Sequence, residues 1–117
     1  MSFYQQQDIV LVEYPFTDAS STKKRPALII SNDKINREAS NLDFIALAIT
    51  SKLRHGNYAV QVKLDDLKDG HLPCLSEIRC DKFASIQKGK VIKRLGTLKD
   101  NSFAAVKSKI VEVLNLA

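Results

Sequence analysis

In the stretch STKKRPALIISN, three consecutive cations, Lys23, Lys24 and Arg25, stand against Pro26 and run straight into Ala27-Leu28-Ile29-Ile30. An unpaired cation at the mouth of a buried strand is expensive. The run is therefore either a solvated loop that happens to precede a strand, or a device that holds a cation where an anionic ligand sits. Arg25 suits the second reading, because a guanidinium grips an oxyanion in a planar, two-pronged way that an ammonium cannot. On the first reading it is a loop cation or a partner for Asp18. Thr50 and Ser51 each offer a hydroxyl that can donate to an anion, although a Thr-Ser pair at a strand end is also ordinary turn chemistry. Arg79 and Asp81 stand two apart, so on an extended strand they point to one face. Exposed, such a pair is a weak surface salt bridge.

These residues need elements to bring them together. Asp8–Tyr14 (DIVLVEY) is dense in β-branched residues and predicts a first strand. Pro15–Thr22 is turn-rich and predicts an exposed loop. Pro26–Asn32 predicts a second strand, apolar enough to be buried on both faces. Asp33–Asn41 is polar, with room for one helical turn. Leu42–Ser51 predicts a third strand and Tyr58–Leu64 a fourth, followed by an acidic loop at Asp65–Gly70. Leu75–Asp81, Phe83–Gln87 and Val91–Leu95 are weaker strand candidates. In DNSFAAVKSKIVEVLNLA the period changes: Phe103, Val106, Ile110, Val113 and Leu114 make one helical face, with Asp100 or Ser102 placed to cap its start. The fold class is α+β and mainly β: a small, strongly bent antiparallel sheet or SH3-like barrel with a C-terminal helix packed on it.

The totals agree with one domain over residues 1–117, 44% hydrophobic and 26% charged. A net charge of +5 is compatible with nucleic acid without requiring it. No apolar run reaches the ~20 residues that span a bilayer, and the N-terminus lacks the pattern of a signal peptide. The expectation is a cytoplasmic protein with no membrane association. Cys74 and Cys80 then read as reduced packing residues, because neither a CxxC spacing nor a nearby histidine pair is present to build a metal site. No cofactor is expected.

The order of pieces, DIVLVEYPFTD, KKRPALIISND, FIALAITS, EIRCD and KRLGTLKD followed by a terminal helix, resembles the PemK/MazF family of toxin endoribonucleases from about Gln7 to the end. The Arg-Pro heading the second strand, the Thr-Ser ending the third and the Arg-Cys-Asp late in the sheet carry the resemblance. It implies an SH3-like barrel working as a homodimer, metal-independent cleavage of single-stranded RNA (mRNA) at short sequences, and inhibition by a cognate antitoxin protein. The chain departs from the family pattern at Gln7, usually glycine, and at Ala84, often arginine, and the Ser20–Lys24 loop has no glycine.

RNA supplies its own nucleophile, the 2′-hydroxyl beside the scissile phosphate. The protein must provide a base, cations for the phosphate oxygens and help for the leaving 5′-oxygen. By resemblance the catalytic set is Arg25 for transition-state charge, Thr50 as a phosphate donor, Asp81 as general base and Arg79 as electrostatic support for the leaving group. Lys24, Ser51, Lys52, His55 and Phe16 are the expected RNA-binding residues, Phe16 as a stacking platform. His55 and His71 form an alternative acid–base pair, since imidazole titrates near neutrality. The basic stretch Lys88-Gly89-Lys90, with Lys93 and Arg94, could follow phosphates or form a solvated edge that blocks strand-to-strand aggregation. Two other functions stay open: a non-nucleolytic toxin of the same fold, resembling the gyrase poison CcdB and acting through its C-terminal helix, and a non-catalytic RNA-binding module.

Overall fold

The structure is a computed structural model that describes residues 3–15 and 22–115. Its strands are β1 (Asp8–Pro15), β2 (Thr22–Ile29), β3 (Asp43–Thr50), β4 (Ala59–Val62), β5 (Leu67–Gly70), β6 (Ser76–Gln87) and β7 (Val91–Leu98). They form one antiparallel sheet in the order β4-β6-β3-β2-β1-β7-β5. A short helix α1 (Asp33–Arg37) bridges β2 and β3, and a long helix α2 (Asp100–Leu114) closes the chain. The mainly-β class with a C-terminal helix is the one the sequence implies.

Both faces of the sheet are covered. On one side Ile9, Leu28, Leu47, Ile49, Ile78 and Cys80 pack with Phe103 and Val106 of α2. Each such side chain contributes roughly 1.5–3 kcal/mol when fully buried. On the other side Val10, Val12, Ala27, Ile29, Phe44, Ala46 and Ile86 bury one another. That second cluster is dry because the sheet curls into a half-barrel that folds its own surface inward. The helical face predicted from period holds at Phe103, Val106 and, partly, Ile110, and fades towards Leu114, which is exposed.

Several boundaries differ from the sequence expectation, each for a physical reason. β2 starts at Thr22 instead of Pro26, because β1 pairs with it beyond the proline: Leu11 faces Pro26, Val12 faces Arg25 and Glu13 faces Lys24. A strand with a partner tolerates the missing proline donor and carries its lysines outward. The acidic segment is not all loop. Asp66 accepts from the Lys63 amide (2.9 Å) and from the Ser102 hydroxyl (3.2 Å), and Leu67 then starts β5 as a buried residue. Leu75–Asp81 and Phe83–Gln87 merge into one strand, β6, which is irregular where its pairing with β3 jumps from Ile49–Ile78 to Leu47–Phe83. The first residue capping α2 is Lys99, so neither Asp100 nor Ser102 caps it. Asp100 is instead drawn to Lys68 (2.8 Å) and the Gln7 side chain (3.0 Å).

Gln7 itself has φ +80°, the left-handed region that favours glycine. Its backbone bridges the sheet, donating to Ile29 and accepting from Leu98, both at 2.9 Å. Its side chain donates to the Leu98 carbonyl (2.9 Å) and to Asp100. Those contacts hold a conformation that a side chain resists.

Candidate functional site

The register of β2 and β3 explains how Arg25 and Thr50 meet. Ala27 faces Ala48, and side chains alternate across a sheet. Arg25, two residues before Ala27, and Thr50, two after Ala48, therefore point to the same face on adjacent strands. Around them lies a groove of about 330 Å³, lined on its polar side by Lys23, Lys24, Arg25, Thr50, Ser51 and Lys52. Leu72, Pro73 and Cys74, from the segment between β5 and β6, form its opposite wall. Five of the residues singled out in the sequence, Lys24, Arg25, Thr50, Ser51 and Lys52, thus come together from two distant segments.

Thr50 serves both of its sequence readings at once. Its Oγ1 accepts the Lys52 amide at 3.1 Å, which is the turn chemistry. Accepting that bond fixes the oxygen and leaves the hydroxyl proton to donate to a ligand.

Arg79 and Asp81 do not line this groove. They lie in the irregular part of β6, with Arg79 Nε 3.4 Å from Asp81 Oδ1 and both side chains partly exposed. The shared face expected from their spacing is real, and it is the face of Thr50: Thr50 is the direct partner of Glu77, and Arg79 follows Glu77 by two. The four residues of the expected catalytic set are therefore laid along one side of the sheet, two in the groove and two beyond β3.

Between these pairs sits a residue that sequence reasoning missed. Glu77 is fully buried, yet it carries a carboxylate. Its two oxygens accept the consecutive amides of Arg54 (3.0 Å) and His55 (2.9 Å). These bonds, the Arg54 amide first, hold its pKa below the ordinary value of 4.5 against the opposing effect of burial, helped by the nearby charges of His55 and Arg79. The only sequence signal was a glutamate between Ser76 and Ile78 in an otherwise buried strand. His55, held in a left-handed conformation at φ +51°, reaches Gln61 at 3.3 Å through Nδ1. It stands over β4, beside the groove and outside its wall.

The remaining sequence candidates divide. Phe16 and Asp18 lie outside the described residues. His71 is exposed and lines a different groove, with Lys93 and Arg94. The edge reading of Lys93 and Arg94 stays open: both pair with β1, at Leu11 and Val10, while β5 pairs with β7 only at residues 96–98, beyond them. Packing holds for Cys80, whose thiol burial pushes up to about 11. It does not hold for Cys74, which is exposed in the groove wall.

A family profile described as a PemK-like, MazF-like toxin of type II toxin–antitoxin systems matches residues 5–114. No curated protein matches the chain in sequence. Among solved structures, MazF in a MazE–MazF complex from Deinococcus radiodurans superposes with a TM-score of 0.80 at 17% identity, over 100% of both chains. An endoribonuclease from a mycobacterial species, solved with its cognate antitoxin, gives 0.79 at 18% identity over 97% of both chains. The Mycobacterium tuberculosis toxin MazF-mt6 gives 0.75 at 21% identity, over 94% of this chain and 98% of that one. At these identities the superpositions establish the fold.

Proposed function

Since the chain belongs to the PemK-like, MazF-like toxins of type II toxin–antitoxin systems, we propose that it is a sequence-specific, metal-independent endoribonuclease that cleaves single-stranded RNA by attack of the 2′-hydroxyl. The observation that carries this reading is the placement of Arg25 and Thr50 on one face of adjacent strands, in a groove walled by Lys23, Lys24 and Lys52. That is an opening roomy enough for a phosphate with its sugar, bordered by cations and the Thr50 hydroxyl.

The chemistry follows from what each group can do. The 2′-oxygen attacks the adjacent phosphorus, the bond to the 5′-oxygen breaks, and a 2′,3′-cyclic phosphate remains. Arg25 stabilises the charge that gathers on the non-bridging oxygens, and Thr50 donates to one of them. Asp81 takes the proton of the 2′-hydroxyl. Arg79, paired with it at 3.4 Å, stays protonated and supports the leaving oxygen, which takes its proton from water. Lys24, Ser51, Lys52, His55 and Phe16 contact the strand outside the reacting phosphate. The chain acts as a single domain in a homodimer in the cytoplasm, and an antitoxin restrains it; two of the similar structures were solved with an antitoxin or MazE.

One observation favours a second reading. Val111 and Leu114 of α2 are exposed apolar residues near its end, as a toxin that binds a protein through its C-terminal helix would need. A single experiment separates the two: incubation of long single-stranded RNA with the purified protein in EDTA, with product ends mapped. Cuts at one short sequence ending in 2′,3′-cyclic phosphate, and lost in Arg25→Ala, establish the nuclease. Intact RNA with folded protein overturns it in favour of binding alone.

A further inference from the structure

A second basic groove, of about 580 Å³, opens beside the first, lined by residues of β2, β1 and β7. It shares Lys24, Pro26 and Pro73 with the Arg25 groove, and adds His71, Lys93 and Arg94 around an apolar floor of Leu11 and Leu95. We propose that this groove is an extension of the RNA track: a strand leaving the reacting phosphate passes over the Pro26–Pro73 saddle and lays its next phosphates against Lys93 and His71. The inference rests on the ribonuclease reading for the identity of the strand, and on geometry for its path.

Three observations carry it. The two grooves have common walls, so a polymer that occupies the first and continues past Lys24 enters the second. Lys93 is not spent on the fold: it lies opposite Leu11 on the part of β7 that β5 does not reach, and among the described residues it pairs with no carboxylate. His71 is exposed and held in place by its backbone, which donates to the Leu95 carbonyl at 2.8 Å, so its ring is free for a ligand. The local carboxylates do not cancel this charge. Asp69 is committed to Arg94, whose Nη1 lies 2.8 Å from it. Glu13, opposite Lys24, is not among the residues that line the groove. Arg94 is thus a structural cation, Lys93 is the contacting one, and the His71 ring adds a hydrogen-bonding edge beside it. The apolar floor suits the sugar and base edges of a single strand, which a bare lysine patch would not.

The test compares the shortest RNA that the protein cleaves with the same RNA lengthened on its 5′ side and, separately, on its 3′ side. Binding is measured by fluorescence anisotropy on versions carrying 2′-deoxyribose at the scissile nucleotide, and cleavage on the all-ribose forms. Lys93→Glu is expected to weaken binding of one lengthened RNA about tenfold and to lower the slope of log K against log salt by about one, while the shortest RNA is unaffected. His71→Gln gives a smaller loss on the same RNA. Lys34→Glu, on α1 and away from both grooves, controls for net charge. Equal losses in Lys93→Glu and Lys34→Glu overturn the track, as do unchanged RNA affinities with weakened binding of a glutamate-rich peptide, which would assign the groove to an acidic protein segment. Lys93-dependent RNA binding without any cleavage retains the track and overturns the nuclease reading alone.

Discussion

Thr50 and Glu77 are direct partners across β3 and β6, so a groove hydroxyl and a fully buried carboxylate share one face of the sheet. The glutamate does not reach the groove. It grips the amides of Arg54 and His55, the loop that leaves Thr50, and ties that loop back to the strand beside it. A buried charge satisfied by two amide donors is a strong local constraint, and removing the charge leaves the donors facing an apolar interior. The wall of the groove at Ser51 and Lys52 is therefore set from beneath, by a residue that touches no ligand.

Glu77→Gln keeps the volume but puts an amide donor against one of the two N–H groups. Cleavage should fall about tenfold, mostly in kcat/KM, while Glu77→Asp recovers part of it. The pH dependence gives a second readout. The folded carboxyl titrates below its ordinary value of 4.5, so its contribution to stability is full above that pH and is lost as pH falls through the folded value. Urea midpoints between neutral pH and about pH 3.5 should drop more for the wild type than for Glu77→Gln. Parallel curves would show that the carboxylate does not act as described.

Arg25→Ala and Thr50→Ala should each lower the cleavage rate by about 10²–10³, the usual loss for a single donor to a developing oxyanion. Circular dichroism should stay unchanged, because neither residue belongs to the two buried clusters and Thr50 is the last residue of its strand. Arg25→Lys should recover little, since one ammonium cannot replace two parallel donors. Full activity in Arg25→Lys would mean that the site needs only a charge.

The two cysteines should behave differently. A thiol-reactive reporter at about pH 7.5 should modify Cys74 quickly and leave Cys80 untouched until denaturant is added, because only a thiolate reacts and burial raises the Cys80 thiol to about 11. A bulky adduct on Cys74 should block cleavage, since that side chain lines the Arg25 groove, and bound RNA should protect it. Rapid reaction at both cysteines in the native protein would contradict the packing of Cys80.

Gln7 offers a test of backbone strain. A left-handed conformation costs a side-chain-bearing residue roughly 1–2 kcal/mol, and each hydrogen bond from the Gln7 side chain returns about 0.5–1.5 kcal/mol. Gln7→Ala keeps the strain and loses both bonds, so it should lower stability by about 1–3 kcal/mol. Gln7→Gly loses the bonds but also the strain, and should be the milder change. Denaturation midpoints give the order directly; an equal loss in both would mean that strain at residue 7 is not significant.

The sequence by itself determined the elements whose signal is local. The β-branched run of β1, the apolar core of β2, the alternation of β4 and the helical period around Phe103 and Val106 are all written in neighbouring residues, and so is the shared face of Arg79 and Asp81. The family followed from the order of three short motifs. Only the tertiary structure decided the rest, because it depends on partners far along the chain. Lys23, Lys24 and Arg25 are neither loop nor core but ladder residues, since β1 pairs with them. The acidic segment yields a strand because β7 receives it. Asp100 is taken by Lys68 and Gln7 before it can act as a cap. Glu77 becomes a buried strut because a loop more than twenty residues earlier presents two amides to it. Pairing register and hydrogen-bond satisfaction are properties of the assembled sheet, and no window of sequence contains both halves of either.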